Sequence, residues 1–382
     1  MSGQGKRVGI VTHYYKSRNF GGLLQAYALC RALRELGFEA EQICYGHIFE
    51  TPPVPCLRDR LRGRPIADIA LSLRRRTANR LLKGRFEAQA AAMYGFGREE
   101  IPHSEKVYMQ DDIRTCRGYD VYITGSDQVW NPEWYTPAFF LEFVPERARK
   151  VAYAASIGHS ALSAAEAEWF RKELEGFSAV SVRESDAAEL LSPVSPVPVE
   201  WVLDPTLLLP RGQWDEICAD RIVRGPYLFC YFLGTGRRSR RLAERFAKKR
   251  GLKVVSILHV HGTFRGCDMR FGDERLSGVS PKGFLSLIKY ADYVFTDSFH
   301  AVVFSEIYGK GYAVFRRSAE DSMTSRIYSV TTLFGSQERF CDTEEKESLE
   351  YIEALPPAGA KEPCPLLESM RRRSYEFLER AL

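Results

Sequence analysis

The stretch KRVGIVTHYYKSRNFGGLLQAYALCRALRELGFEAEQICY, residues 6–45, decides the fold class. Lys6–His13 opens with a short β-branched run, which predicts a strand. Gly21–Leu36 repeats apolar residues at helical spacing and predicts an amphipathic helix, with Leu24, Tyr27, Ala28, Cys30, Leu33 and Leu36 facing inward. Gly37 stands just past the last turn, where a helix ends most easily on a residue that tolerates positive φ. Glu39–Tyr45 is strand-like again. Strand, helix and strand in succession make a βαβ unit, and such units build parallel sheets.

Outward from this unit the alternation breaks at about Phe49–Tyr94, where Pro52, Pro53 and Pro55 precede a basic helical run, and then resumes. Strands are predicted at Val121–Thr124, Lys150–Ser156, Ala179–Arg183 and Glu200–Leu203. Ser163 and Glu166 form a capping-box pair that opens a helix running to Leu174. Proline-rich stretches at 191–198 and 205–212 place a boundary near residue 210. A second series follows: strand Tyr227–Leu233, helix Ser239–Arg250, strand Leu252–Val260, and helix Pro281–Tyr290 behind Ser280. Strand Tyr293–Thr296, helix Phe299–Tyr308 and strand Gly311–Phe315 complete it. The expectation is an α/β chain of two Rossmann-like domains facing across a cleft. Residues 1–210 would form the first, with an insertion at about 50–95, and 211–360 the second. Residues 361–382 read as a charged helix packing back on the first domain. Ligands of such sheets bind beyond the carboxyl ends of the strands.

Composition narrows the function. With 45% apolar and 27% charged residues, the 382-residue chain is neither disordered nor fibrous nor low in complexity. A net charge of +5 is too mild to argue for nucleic acid. The longest apolar strand-like run, Tyr227–Leu233, has seven residues, far short of the roughly 18 that span a bilayer. Val8–Val11 is too short for a secretory core. Nine scattered cysteines without a Cys-x-x-Cys pair fit a reducing cytoplasm better than a disulfide framework. Between Arg58 and Arg85 stand ten Arg/Lys against two Asp and no Glu. With Ile66, Ile69, Leu71, Leu73, Leu81 and Leu82 interleaved, that run reads either as a solvated helix face or as a surface for peripheral contact with an anionic membrane.

Chemistry is expected at three strand-to-helix turns. The first holds Asn19, Gly21 and Gly22 before a helix start, whose backbone N–H groups suit an anion, although Asn19 is also a plain turn residue. No P-loop or Gly-x-Gly-x-x-Gly occurs there. The second, Gly125-Ser126-Asp127-Gln128, offers a hydroxyl, a carboxylate and an amide in succession beyond a strand. The third, Thr296-Asp297-Ser298-Phe299-His300, puts an imidazole in the first turn of a helix that Ser298 is expected to cap. There the helix dipole calls for a neutral ring or an anionic partner. Arg183 beside Glu184 is either a structural salt bridge or an anion contact; Arg316, Arg317 and Arg326 face the expected cleft. His259 and His261, with Cys267 and Asp268, match no zinc spacing, and Asp111-Asp112 is a weak pair, so no metal site is expected.

Together these stretches resemble the polysaccharide pyruvyl transferase family. The resemblance rests on Asn19-Phe20-Gly21-Gly22-Leu23-Leu24-Gln25-Ala26-Tyr27-Ala28-Leu29, on Gly125-Ser126-Asp127-Gln128-Val129-Trp130-Asn131-Pro132, and on Tyr153-Ala154-Ala155-Ser156-Ile157-Gly158. Ser181-Val182-Arg183-Glu184, Val202-Leu203-Asp204-Pro205-Thr206 and Thr296-Asp297-Ser298-Phe299-His300 follow in the same order. It implies a glycosyltransferase-B-like fold and transfer of the enolpyruvyl unit of phosphoenolpyruvate to a glycan or lipid-linked oligosaccharide, forming a ketal without any cofactor. It implies His300 as the acid and Asp127 as base or positioner, with Asn19, Gly21, Gly22, Ser126, Gln128, Arg183, Ser298 and Arg326 binding substrate. Such an acceptor would place the enzyme at the inner membrane face. The chain departs from the family pattern at Ser298, where relatives resemble Ser-Arg-Leu-His and carry an arginine. Either another arginine takes that place or this branch uses a different donor. The competing readings are a glycosyltransferase taking a nucleotide sugar and a non-catalytic glycan-binding relative.

Overall fold

The computed structural model describes residues 5–46, 76–259, 265–268, 270–317, 324–356 and 365–382. Residues 47–75, which hold most of the basic run, lie outside them, as do Val260 and His261. The strands assemble into two wholly parallel sheets. The first contains β1 Arg7–Val11, β2 Glu39–Tyr45, β3 His103–Tyr108, β4 Val121–Thr124, β5 Arg149–Ala155, β6 Ala179–Val182 and β7 Val199–Trp201. Their order is β3-β2-β1-β4-β5-β6-β7. The helices of this half are α1 Phe20–Glu35, α2 Lys83–Glu100, α3 Ala164–Glu173 and α4 Ser185–Leu191, and α5 Arg211–Ile217 leads out of it.

The second sheet holds β8 Tyr227–Tyr231, β9 Lys253–Ile257, β10 Glu274–Leu276, β11 Tyr293–Thr296, β12 Gly311–Phe315 and β13 Phe340–Cys341. Its order, β10-β9-β8-β11-β12-β13, repeats that of the first. With it go α6 Arg237–Arg250, α7 Pro281–Lys289, α8 Phe299–Ile307, α9 Thr324–Leu333, α10 Leu349–Ala354 and α11 Pro365–Ala381. Strand order reverses between β1 and β4, and again between β8 and β11. At each reversal the connecting loops diverge and leave a crevice at the carboxyl ends of the strands.

Helices cover both faces of these sheets, so central strands are apolar throughout: every residue of β4 and β8 is buried. Three strands escape the sequence reading, and all three are edges. His103–Tyr108 and Glu274–Leu276 are polar because one side meets solvent, and Phe340–Cys341 is only two residues long.

Several local expectations are met. The Ser163–Glu166 capping box is formed, Gly37 ends α1 with φ +90°, and the Ser280 hydroxyl accepts from Gly283 N. Two are corrected. Helix α1 is not amphipathic: Phe20–Cys30, Ala32 and Leu33 are all buried, while Leu36 is only partly so. One side of α1 lies on the first sheet; another meets α7 and α8 of the second half, where Phe20 stacks on Phe284 with ring centroids 4.6 Å apart. Ser298 occupies the N-cap of α8, yet its side chain makes no capping hydrogen bond.

Helix α2 bridges the halves. Gln89 Nε2 donates to the Val279 carbonyl (2.7 Å) and its Oε1 accepts from Val279 N (3.1 Å). Helix α11 returns to the first sheet, where Ser374 Oγ accepts from Leu203 N (2.9 Å) and Arg371 Nε donates to Leu207 O (3.0 Å). Among the described residues no helix is long and apolar enough to cross a membrane.

Candidate active site

The two crevices open into one cavity of about 420 Å³, ample for a small ligand. His13 follows β1, Asp127 and Gln128 follow β4, and Arg183 follows β6. From the second sheet come Asp297, Ser298 and His300 after β11, Arg317 after β12 and Arg326 in α9. Local backbone needs explain the turn after β4. A Cβ on Gly125, at φ +110°, would stand 2.2 Å from the Tyr153 carbonyl oxygen, so only glycine passes there. Asp127 follows at φ +67°, sparsely populated for a residue with a side chain, and its carboxylate enters the cavity. Ser126 corrects the sequence reading: it is fully buried, and its hydroxyl donates to the Ala154 carbonyl (2.7 Å), so it supports the turn instead of facing a ligand.

Arg183 is the electrostatic hub. Its Nη1 donates to Asp204 Oδ2 (3.0 Å), Nη2 to Asp127 Oδ1 (3.3 Å) and Nε to Glu184 Oε1 (2.9 Å), with only 1% of the side chain exposed. Burial disfavours this guanidinium, but Glu184, Asp127 and Asp204 outweigh it and hold its pKa above the ordinary arginine value. Of the two readings open for Arg183, the structural ion pair is therefore the one the geometry realises. Burial likewise opposes a charged Asp127. Arg183, His300, His13 and Arg326 overcome that penalty and keep its carboxyl below the usual carboxylate range. Asp204 behaves in the same way, held low by His300 and Arg183 against burial.

His300 is 6% exposed, and its Nε2 lies 3.6 Å from Asp204 Oδ2, an ion pair whenever the ring is protonated. Asp204 is thus the anionic partner that a histidine at a helix start calls for. Its orientation is fixed from behind, because Oδ1 accepts from Thr206 N (3.0 Å) and Thr206 Oγ1 (2.6 Å). Across the cavity floor the ring lies on Gly21, where a Cβ would stand 1.8 Å from His300 Nδ1. Gly21 is therefore the space that His300 occupies; the anion contact expected of it is replaced by this packing. Asn19 caps α1 through Oδ1, which accepts from Gly21 N (3.0 Å), and its Nδ2 reaches Asp127 Oδ2 at 3.5 Å. Gly22 sits one residue deeper, 3.4 Å from Asp127 Oδ2 on its virtual Cβ.

A sequence model of polysaccharide pyruvyl transferases matches residues 19–317, most of the chain and all three turns. The chain belongs to the polysaccharide pyruvyl transferase family. A comparison with curated protein sequences found no match. Among solved structures it is similar to UDP-GlcNAc 2-epimerases. That of Methanocaldococcus jannaschii aligns with TM-score 0.55 at 10% identity, over 98% of this chain and 100% of that one. Those of Rickettsia bellii (0.56, 9%, 99% and 96%) and of Neisseria meningitidis bound to UDP-GlcNAc (0.52, 12%, 99% and 100%) align similarly. At such identities the likeness establishes the glycosyltransferase-B fold alone.

In this pyruvyl transferase family member the position of the missing arginine is Ser298, whose hydroxyl is released from capping duty. Other arginines line the same cavity: Arg316, Arg317 and Arg326. Burial, and next the charge of Arg183, pulls the Arg326 guanidinium down to about 10 against the opposing pull of Glu184 and Asp127; an anion bound there would raise it again. The Gln128 amide faces Arg326, its oxygen 2.5 and 2.7 Å from the Nη atoms when turned toward them. Asp297 is engaged elsewhere, accepting from Leu233 N and Gly234 N at 2.7 Å each, so it shapes the turn after β8. The sequence does not single out His13, although it stands at the carboxyl end of β1 beside the strand-order reversal. Among the described residues, no group of three or more His, Cys, Asp or Glu could hold a metal ion, and Asp112 pairs with Lys106 instead (3.0 Å).

Proposed function

We propose that the chain moves the enolpyruvyl unit of phosphoenolpyruvate onto two neighbouring hydroxyls of a sugar in a surface polysaccharide or its lipid-linked precursor. The ketal closes and phosphate leaves. The observation that carries this reading is His300, paired with buried Asp204, in one cavity with Arg317 and Arg326. A donor with a carboxylate and a phosphate needs cationic forks, and its methylene carbon needs an acid. His300 delivers a proton to that carbon, making a methyl group and leaving the adjacent carbon cationic. A sugar hydroxyl attacks there; phosphate departs, and the second hydroxyl closes the ketal. Arg326, Arg317 and the N-terminus of α8 hold the donor's anionic groups in place of the family arginine. Asp127, ionised and tied to Arg183, is a poor base; it steadies the cationic carbon and positions the acceptor. The chemistry is redox-neutral and calls for no redox cofactor.

Purified protein incubated with phosphoenolpyruvate and p-nitrophenyl hexosides should release phosphate; incubated with nucleotide sugars it should release no nucleotide. The reverse pattern would reassign it to glycosyl transfer. Binding of a glycan without turnover of any donor would make it a non-catalytic relative. We further propose that the acceptor is met at an anionic membrane face through the basic run. Sedimentation with anionic but not neutral vesicles, weakened by salt, is the expected result, and equal binding to both would remove that role.

A further inference from the structure

Ketal formation takes two protons from the two attacking hydroxyls. One ends in the new methyl group and the other on the departing phosphate. His300 alone would have to give one proton and then collect the others; a second proton carrier beside the attacking hydroxyl divides that work. Of the other titratable groups in the cavity, Asp127 is bound into the Arg183 ion pair, and Asp297 accepts two backbone N–H groups. His13 remains.

We propose that His13 and Trp134 form the acceptor side of the cavity, with His13 taking the proton of the attacking sugar hydroxyl; this rests on the pyruvyl-transfer reading above. His13 Nε2 lies 3.3 Å from the Gln128 carbonyl oxygen. A carbonyl only accepts, so Nε2 carries the hydrogen and Nδ1 carries the lone pair of the neutral ring. The ring is held edge-on by Phe139 at 4.5 Å and by Trp134 at 6.2 Å between centroids. Trp134 lines the same cavity and keeps 38% of its surface exposed. A half-open indole beside a proton acceptor suits a pyranose, whose C–H face packs on the ring while its hydroxyls turn toward the imidazole. Burial lowers the His13 pKa against the opposing pull of Asp127 and the Gln128 carbonyl, so the ring is the neutral species a base must be.

In the step itself, the hydroxyl oxygen forms its bond to the cationic carbon as its hydrogen passes to the imidazole lone pair. The resulting imidazolium then gives that proton to the phosphate as the carbon–oxygen bond to phosphate breaks. The second hydroxyl, in closing the ketal, gives its proton to the now neutral His300 and restores the acid, so charge and protons balance without another reactant.

The test uses the full chain with phosphoenolpyruvate and p-nitrophenyl hexosides. His13→Gln should lower kcat about 10²–10⁴-fold with the KM for phosphoenolpyruvate unchanged. His13→Ala should regain turnover when free imidazole is added, which a merely structural residue would not show. Trp134→Leu should raise the KM for the hexoside and leave that for phosphoenolpyruvate alone. Undiminished kcat in His13→Gln, or loss without rescue, overturns the assignment while leaving pyruvyl transfer standing. No phosphate release by the wild-type chain overturns the transfer reading, and the assignment with it. Ring-¹⁵N histidine spectra give a check free of turnover: His13, recognised by its loss in the variant, should be neutral with Nε2 protonated at pH 7, and an imidazolium there overturns the assignment.

Discussion

Replacing Gly21 with alanine adds one methyl group, and the structure fixes where it goes. Its carbon would stand 1.8 Å from His300 Nδ1 and 2.3 Å from Cγ. Non-bonded heavy atoms rest about 3.5 Å apart, so the ring must withdraw by about 1.7 Å or rotate off Asp204. A misplacement of about 1 Å at a reacting group costs on the order of 10²-fold in rate, so Gly21→Ala should lose at least that much turnover. The strain of a misfitting methyl, about 1–3 kcal/mol, should leave the protein folded. Gly22→Ala is the control. Its methyl meets Asn19 Cβ, Asp127 Oδ2 and the His13 carbonyl at 3.4 Å each, ordinary contact distance, and turnover should stay within a few-fold of wild type. Phosphate release at saturating phosphoenolpyruvate, with melting curves on both variants, reads the result. Equal turnover in the two variants would refute the placement of His300 as the reacting group.

Three further outcomes follow from the ion-pair network. His300→Gln should reduce turnover about 10²–10⁴-fold while the protein stays folded; near-normal turnover would remove the acid. Arg183→Met leaves Asp127, Glu184 and Asp204 buried without their shared cation and should lower the unfolding free energy in urea by about 3–5 kcal/mol. A loss below about 1 kcal/mol would show that these carboxylates are held by something else. The Asp204 carboxyl is held low in the folded state, so its stabilisation is present above the unfolded carboxylate range and lost as pH falls. The advantage of wild type over Asp204→Asn should therefore shrink below about pH 4, by at most about 1.4 kcal/mol per pH unit. A difference constant down to pH 3 contradicts the shift.

Much of this architecture is legible in the sequence because parallel sheets bury their strands on both faces. Val121–Thr124, Tyr293–Thr296 and Gly311–Phe315 are apolar runs between turns and lie where the pattern puts them. Among the edge strands, β7 is legible, but His103–Tyr108 and Glu274–Leu276 are not, since water on one side makes them polar, and Phe340–Cys341 is too short to read. Helix α1 misleads for the opposite reason: its second buried face answers to helices contributed by residues far along the chain. In the site, His300 and Asp127 stand out as polar groups just past apolar strands, and Arg326 as an arginine following the last strand of the second series. Asp204 does not, because its meaning comes from Arg183 and His300, which only the folded chain brings to it. Ser126 is likewise misread: a hydroxyl beyond a strand looks the same in sequence whether it faces a ligand or the Ala154 carbonyl.

Helix α1 carries Gly21, which makes room for His300, and Phe20, which stacks on Phe284, so two neighbouring residues tie the candidate pocket to the seam between the halves. Recombination between family members has to respect that tie. A chimera whose first 45 residues come from another parent acquires an α1 shaped for someone else's α7 and α8, and its misfit appears beneath the histidine before it appears in the melting curve. Crossovers that exchange α1 together with residues 281–307 keep the tie within one parent. Those that separate them should yield folded proteins with silent active sites.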